Sequence, residues 1–343
     1  MAMDPAEGGR EAPATSKKQV RVVVTGATGQ VAYALLPRIA AGEMFGTDTE
    51  IDLRLSDIPQ MIDKAEGVRM ELEDGAYPLL ARISVSAERS ETHAGADWLL
   101  LVGSVPRGPG MERGDLIRTN GPIFTEEGRA IAQHAAPNVR VVVVGNPCNT
   151  NCLIARASAP EIPDDRWTAM TRLDQNRSRS LLAAKAGARV SEVRKLCIWG
   201  NHSTTLYPDF TNATVRGKRP VNVVDREWLK SEFVPTVQQR GAAVIAARGA
   251  SSAFSAAQAV VDHVRSLTTR TPRGDWFSAA VVSDGSYDVP RGLIASFPLT
   301  SDGGGGYSMV EGIKLNPFAR SKLAATIAEL EQERDLVRDL LTG

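Results

Sequence analysis

The chain alternates short apolar runs with longer stretches of helical period. Residues 20–24 form a β-branched run that stops at Thr25-Gly26-Ala27-Thr28-Gly29, and a helical pattern follows over residues 30–41. A second strand is predicted at 51–55, ending at Ser56-Asp57, and a helix at 62–74. After Asp97, residues 98–102 are a continuous apolar run, as expected for a strand buried on both faces. A helix is predicted over 121–136, then an apolar strand over 139–144 that stops at Gly145-Asn146-Pro147. Strands alternating with helices imply a parallel sheet with right-handed crossovers. Their polar ends collect at the carboxyl edge, where doubly wound sheets bind ligands.

Beyond about residue 155 the pattern changes. Helices are predicted at 170–186 and from 228 to 248, the latter continuing toward 264, with a strand between them at 194–199. Shorter strand-like runs stand at 279–282 and 294–297, and residues 303–306 are four glycines, a loop or hairpin tip. An Arg/Glu-rich amphipathic helix closes the chain over 319–341. The expected architecture is α/β: a Rossmann-type doubly wound parallel sheet over 19–170 and a mixed α+β catalytic domain with its C-terminal helix over 171–343. Residues 1–18 are polar and without apolar period, which predicts a disordered tail with no secretory signal.

Composition narrows the function. Forty Lys and Arg balance forty Asp and Glu, so the basic excess of a nucleic-acid binder is missing. No run of 18 apolar residues predicts a membrane span. The three cysteines, Cys148, Cys152 and Cys197, cannot all pair within the chain. They lack neighbours that would complete a zinc site, so they read as small buried hydrophobes and no metal is expected.

Chemistry concentrates in four places. Gly26, Ala27, Thr28, Gly29, Gln30, Val31 and Ala32 follow a strand and open a helix. Gly26 permits a tight turn, Gly29 lets the backbone approach a pyrophosphate, and Ala32 packs helix on strand, so a dinucleotide is expected there. Asp57, ending the second strand, is placed to accept from the ribose hydroxyls and to repel a 2′-phosphate, favouring NAD over NADP. The alternative is a turn or N-cap Asp. The loop 103–115 (GSVPRGPGMERGD) carries Arg107 and Arg113, which suits a lid closing on an anionic substrate; a solvated surface loop is the alternative.

Asp174 and Arg177 are three apart and share a face if helical. Of four histidines, His202 alone follows an apolar strand among small polar residues, a natural proton shuttle if an Asp fixes its tautomer and a structural His otherwise. No Tyr has Lys four residues later, which disfavours short-chain reductase chemistry. Phosphate-cradling GxxxxGK[ST] and serine-elbow GxSxG motifs are absent.

With these motifs the chain resembles the cytosolic-type malate dehydrogenases of the lactate/malate dehydrogenase superfamily. The resemblance runs from about residue 19 to the C-terminal helix through TGATGQVAYALLPRIAAGEMFG, VPRGPGMERGDL, VVGNPCNTNCL, TRLDQNR, WGNHST and VQQRGAAVI. It implies reversible oxidation of (S)-malate to oxaloacetate with NAD, a place in the tricarboxylic acid cycle, a cytoplasmic homodimer, and no nucleic-acid or membrane partner.

By the same resemblance, Gly26 to Ala32 would hold the pyrophosphate and Asp57 the ribose. Val144, Gly145 and Asn146 would line the nicotinamide side, with Asn146 also meeting substrate, and Asn120 and Glu127 stand at NAD contacts. Arg107 would bind the carboxylate that distinguishes malate from lactate, Arg113 the C2 oxygen and Arg177 the C1 carboxylate. His202 would exchange the proton and Asp174 support it. Two residues depart from the pattern: Glu127 stands where Gln is frequent and is expected to weaken or reposition that contact, and Thr28 replaces a commoner Ala. Thiol control of the chloroplast NADP type is not expected, since Asp57 is present and neither 1–18 nor 320–343 contains Cys. A lactate-type or broad 2-hydroxyacid dehydrogenase and a non-catalytic NAD-binding protein are the alternatives.

Overall fold

Six segments of the first half pair as parallel strands: β1 (Lys18–Thr25), β2 (Thr49–Ser56), β3 (Leu80–Ser86), β4 (Trp98–Leu101), β5 (Arg140–Val143) and β6 (Trp167–Ala169), in the order β3-β2-β1-β4-β5-β6. The structure is a computed structural model and describes residues 17–106 and 110–341. Most of the predicted tail lies outside the described residues, and Lys18 already opens β1.

The continuous apolar runs follow from burial on both faces. Val22, Val24, Leu100 and Val142 face one hydrophobic core, while Val23, Leu99, Leu101, Val141 and Val143 face a second. Each such side chain contributes roughly 1.5–3 kcal/mol on leaving water. The crossovers carry α1 (Gln30–Ala40), α2 (Ile62–Asp74), α3 (Arg89–Thr92), α4 (Arg113–His134) and α5 (Cys148–Ala157). In α1, Ala32, Leu35, Leu36, Ile39 and Ala40 make the buried stripe.

α4 begins at Arg113 rather than at 121. Gly114, Gly121 and Pro122 break the apolar period, but a Glu112/Asp115 capping box starts the helix and packing on α5 holds it. A Cβ at Gly128 would lie 2.2 Å from the Ala155 carbonyl oxygen, so the two helices meet there backbone to backbone.

The second half contributes α6 (Arg172–Lys185), the short strands β7 (Val193–Arg194), β8 (Cys197–Trp199), β9 (Tyr207–Asp209) and β10 (Thr214–Val215), and a helical turn α7 (Arg226–Trp228). It continues with α8 (Val234–Arg248), α9 (Phe254–Thr268), strands β11 (Phe277–Val282), β12 (Ile294–Thr300) and β13 (Ser308–Met309), and α10 (Pro317–Leu336).

Two expectations are corrected here. The strand expected at 194–199 is split, because Lys195 takes a left-handed conformation (φ 56°) with its amide donating to Asp275 Oδ1 at 2.8 Å. The helix expected to run on toward 264 ends at Arg248, where Gly249 (φ 71°) closes it in the left-handed cap and its amide donates to the Ile245 carbonyl. β11 joins β6 antiparallel through Ala280 and Ala169, and β12 and β13 follow, so the second half extends the first half's sheet to nine strands. Among the described residues, no helix is long and apolar enough to cross a membrane.

Candidate active site

The strand order reverses between β1 and β4, and the crevice at that switch point is where an α/β sheet takes its ligand. Gly26 stands at the end of β1 with φ 61°, and a Cβ there would lie 2.5 Å from Gly103 Cα, just beyond β4. α1 opens at Gly29 with no side-chain cap, and Gly29 and Gln30 are exposed. Uncapped amides at a helix start beside a glycine cradle fit a pyrophosphate. Ala27 and Ala32 are buried beneath the loop and Val31 is half-buried.

Asp57 lies at the rim. Its Oδ2 accepts from the Thr28 amide at 2.9 Å and the Thr28 hydroxyl at 2.8 Å, and its Oδ1 accepts from the Ile58 amide at 2.9 Å. The dinucleotide loop itself therefore aims this carboxylate. At the end of β5, Val144 and Gly145 are buried, while Asn146 is exposed at the edge.

The proton-transfer candidates converge from three elements. Asp174 sits in the first turn of α6, a favourable place for a carboxylate, and is 1% exposed. Its Oδ2 lies 2.5 Å from His202 Nδ1, and its Oδ1 accepts from Arg177 Nη1 at 3.3 Å. Arg177 Nη2 donates to Ser252 Oγ at 3.0 Å. Burial pulls the Arg177 guanidinium below its ordinary pKa and Asp174 partly restores it. The His202 amide donates to Asn149 Oδ1 at 3.1 Å, and Asn149 Nδ2 donates to the Gly200 and Ile294 carbonyls.

The arginine loop is only partly described. Arg107 lies outside the described residues. Arg113 Nε donates to Glu333 Oε1 at 2.5 Å, and its buried Nη2 has no hydrogen-bond partner.

Family-model comparisons match residues 20–166 to the lactate/malate dehydrogenase NAD binding domain and 171–340 to the lactate/malate dehydrogenase alpha/beta C-terminal domain. The chain belongs to the lactate/malate dehydrogenase family. It is 55% identical over 325 residues to a malate dehydrogenase of Magnetococcus marinus, covering 94% of this chain and 99% of that one. Among solved structures, it is similar to a malate dehydrogenase from Naegleria fowleri (43% identity, TM-score 0.91, 94% of this chain and 98% of that one). It is also similar to a Trichomonas vaginalis lactate dehydrogenase in complex with NADH and oxamate (35% identity, TM-score 0.90, 94% and 99%). The protein is thus an NAD-dependent dehydrogenase whose first domain is the family's NAD binding domain, and the glycine cradle fits that cofactor.

Two residues assigned to the cofactor by family resemblance make buried contacts within the protein. Glu127 is buried, with Oε1 accepting from Arg89 Nε at 2.7 Å and Oε2 facing His93 Nε2 at 3.0 Å. Burial alone would raise its carboxyl pKa, but His93 and Arg89 together hold it below the ordinary range. It serves this dehydrogenase as the centre of an ion cluster between α3 and α4. Asn120 is fully buried; its side chain binds both the amide and the carbonyl of Val105 and the carbonyl of Asn146, bracing the root of the arginine loop. The three cysteines are buried, as expected, and burial pushes the Cys148 thiol up to about 12.

Several residues in contact with this candidate site were not marked by sequence reasoning. Asn149 and Ser252 are two. The others lie on one face of α10: Thr326 Oγ1 accepts from the Asn201 amide at 2.9 Å, and Glu329 and Glu333 accept from Asn201 Nδ2 at 2.9 and 2.8 Å. Glu329 also accepts from the Ser203 and Thr205 hydroxyls. The C-terminal helix therefore grips the loop that carries His202.

Proposed function

We propose that the protein is a malate dehydrogenase that interconverts (S)-malate and oxaloacetate. The observation that carries this reading is the shared Asp174 carboxylate, which contacts His202 on one oxygen and Arg177 on the other. NAD bound along the glycine loop supplies the hydride acceptor. With Nδ1 tied to Asp174, His202 keeps Nε2 for the substrate hydroxyl, taking its proton in oxidation and returning it in reduction. Asp174 stabilises the imidazolium so formed. Arg177 grips the C1 carboxylate, which orients C2, and Arg113 stabilises the C2 oxygen as it gains charge. Arg107 pairs with the second carboxylate, and Asn146 meets the substrate at the end of β5.

The 55% identity to a malate dehydrogenase supports this substrate and, with it, a place in the tricarboxylic acid cycle. A cytoplasmic location is part of the same proposal, to be tested by fractionation. So is a homodimer: Ile245 and Phe254 are exposed at 51% and 82%, apolar surface of the kind two copies bury. Light scattering on the eluted protein tests the dimer. A lactate-type reading is the second one, because a lactate dehydrogenase is 35% identical over nearly the whole chain. NADH oxidation with oxaloacetate and with pyruvate separates the two. Turnover of oxaloacetate by at least about a hundredfold over pyruvate supports the proposal; preference for pyruvate rejects it.

A further inference from the structure

Glu333 is a carboxylate buried to 3% exposure, and the reaction just proposed leaves it without a part. A charged group that deep persists when it is fully paired. Its partners are Arg113 Nε, Asn201 Nδ2 and the Thr150 hydroxyl. One partner is the arginine assigned to the substrate oxygen. Another directly precedes His202. The third, Thr150, follows Asn149, which receives the His202 amide. One carboxylate thus joins the arginine loop, the histidine loop and the start of α5.

Arg113 is held in a telling way. Glu333 takes the Nε edge, and Nη2 is buried with no protein partner. A guanidinium has five donors in a rigid plane, so fixing the Nε side fixes the direction of the others. A buried donor left unsatisfied is unfavourable and is an opening for an oxygen of a ligand.

We propose that Glu333 is a positioning residue for the reaction, orienting Arg113 toward the substrate C2 oxygen and holding that arginine in register with His202. This rests on the role given above to Arg113. Glu333 touches no reacting atom. It acts by setting the plane of the guanidinium. Because the interaction sought is with the developing oxyanion, its loss falls on kcat more than on cofactor binding.

The test is a double-mutant cycle on the full chain with Glu333→Gln, Arg113→Gln and the double variant. Oxaloacetate kinetics, NADH binding by fluorescence, and inhibition by the non-reacting dicarboxylate hydroxymalonate are measured for each. Glu333→Gln is expected to lower kcat/KM by about tenfold to a hundredfold while the NADH dissociation constant changes less than about twofold. In the Arg113→Gln background the same change is expected to have little further effect. Equal factors in both backgrounds would overturn the proposal, as would unchanged kcat/KM in Glu333→Gln. If Arg113→Gln alone keeps full activity, the role of Arg113 fails instead, and the two failures are told apart. Glu333→Asp keeps the charge and retracts it by one methylene. If the Gln variant does not fold, the Asp variant is expected to show the same kcat loss with NADH binding kept, and wild-type kcat there would overturn the proposal.

Discussion

His202 Nδ1 lies 2.5 Å from Asp174 Oδ2, although 28 residues separate them and they belong to different elements. The carboxylate is buried and already shared with Arg177, so it has no water to fall back on. Asp174→Asn is expected to lower kcat/KM for oxaloacetate by about 10²- to 10⁴-fold, through a mis-set tautomer and a lost counter-charge. NADH affinity should stay within a factor of about three, since the dinucleotide loop is untouched. Steady-state rates with fluorescence titration of NADH check this, and a loss of NADH binding equal to the loss of rate would contradict it.

Asp57 is aimed by Thr28, and at the proposed ribose position its charge would repel a 2′-phosphate. Asp57→Ser is expected to raise kcat/KM with NADPH by roughly tenfold and to lower it with NADH. The ratio of the two cofactors, measured with one substrate, reads this directly.

Substrate choice is expected to rest on Arg107. Replacing it by Leu removes the partner of the second carboxylate, worth about 2–5 kcal/mol, and should reduce the preference for oxaloacetate over pyruvate by about 30-fold to several thousand-fold. An unchanged ratio would place the specificity elsewhere.

Gly200 has φ 85°, and a Cβ there would sit 2.0 Å from Thr326 Cγ2. Gly200→Ala combines backbone strain with overpacking and is expected to destabilise the fold by about 2–5 kcal/mol. It also pushes α10 off the His202 loop. Denaturant unfolding should report the first effect, and reduced kcat in the protein that remains folded the second.

His263 is buried, with Nε2 3.0 Å from Thr168 Oγ1. Burial, aided by the Arg172 charge, pushes its pKa down to about 3 from an ordinary 6.5. Below pH 6.5 the unfolded chain takes up a proton here that the folded chain refuses until about pH 3. Stability from this group is therefore full above pH 6.5 and falls on acidification, by about 1.4 kcal/mol per pH unit inside that window. Glu127 works in the same direction: its folded carboxyl is depressed, so its contribution is also lost toward acid. His263→Asn should flatten the slope of unfolding free energy between pH 7 and 5, and an undiminished slope would refute the assignment.

The strands nearest the ligand crevice were legible because burial on both faces leaves an unmistakable signature. Val22 to Val24, Leu99 to Leu101 and Val141 to Val143 offer no polar position at all. β3 was not legible, because it is an edge strand with no fully buried position and no apolar run. α5 was missed because its core-facing residues include Asn149, Thr150 and Asn151, polar groups buried for their hydrogen bonds. The motifs marked Asp174, Arg177 and His202 as candidates, and the structure brings the three side chains together. Glu329 and Glu333 could not be found the same way. On an amphipathic helix a glutamate facing solvent and one facing a loop 132 residues away look alike.

The hydrogen bonds between β6 and β11 cross the boundary at which the two family domains meet. A protein cut near residue 170 would therefore not yield a clean half. β6 would become a bare, apolar rim whose backbone groups seek the nearest strand, including that of another copy. Dissection at this seam should give aggregates instead of a working cofactor-binding module, and the intact chain should melt as one cooperative unit.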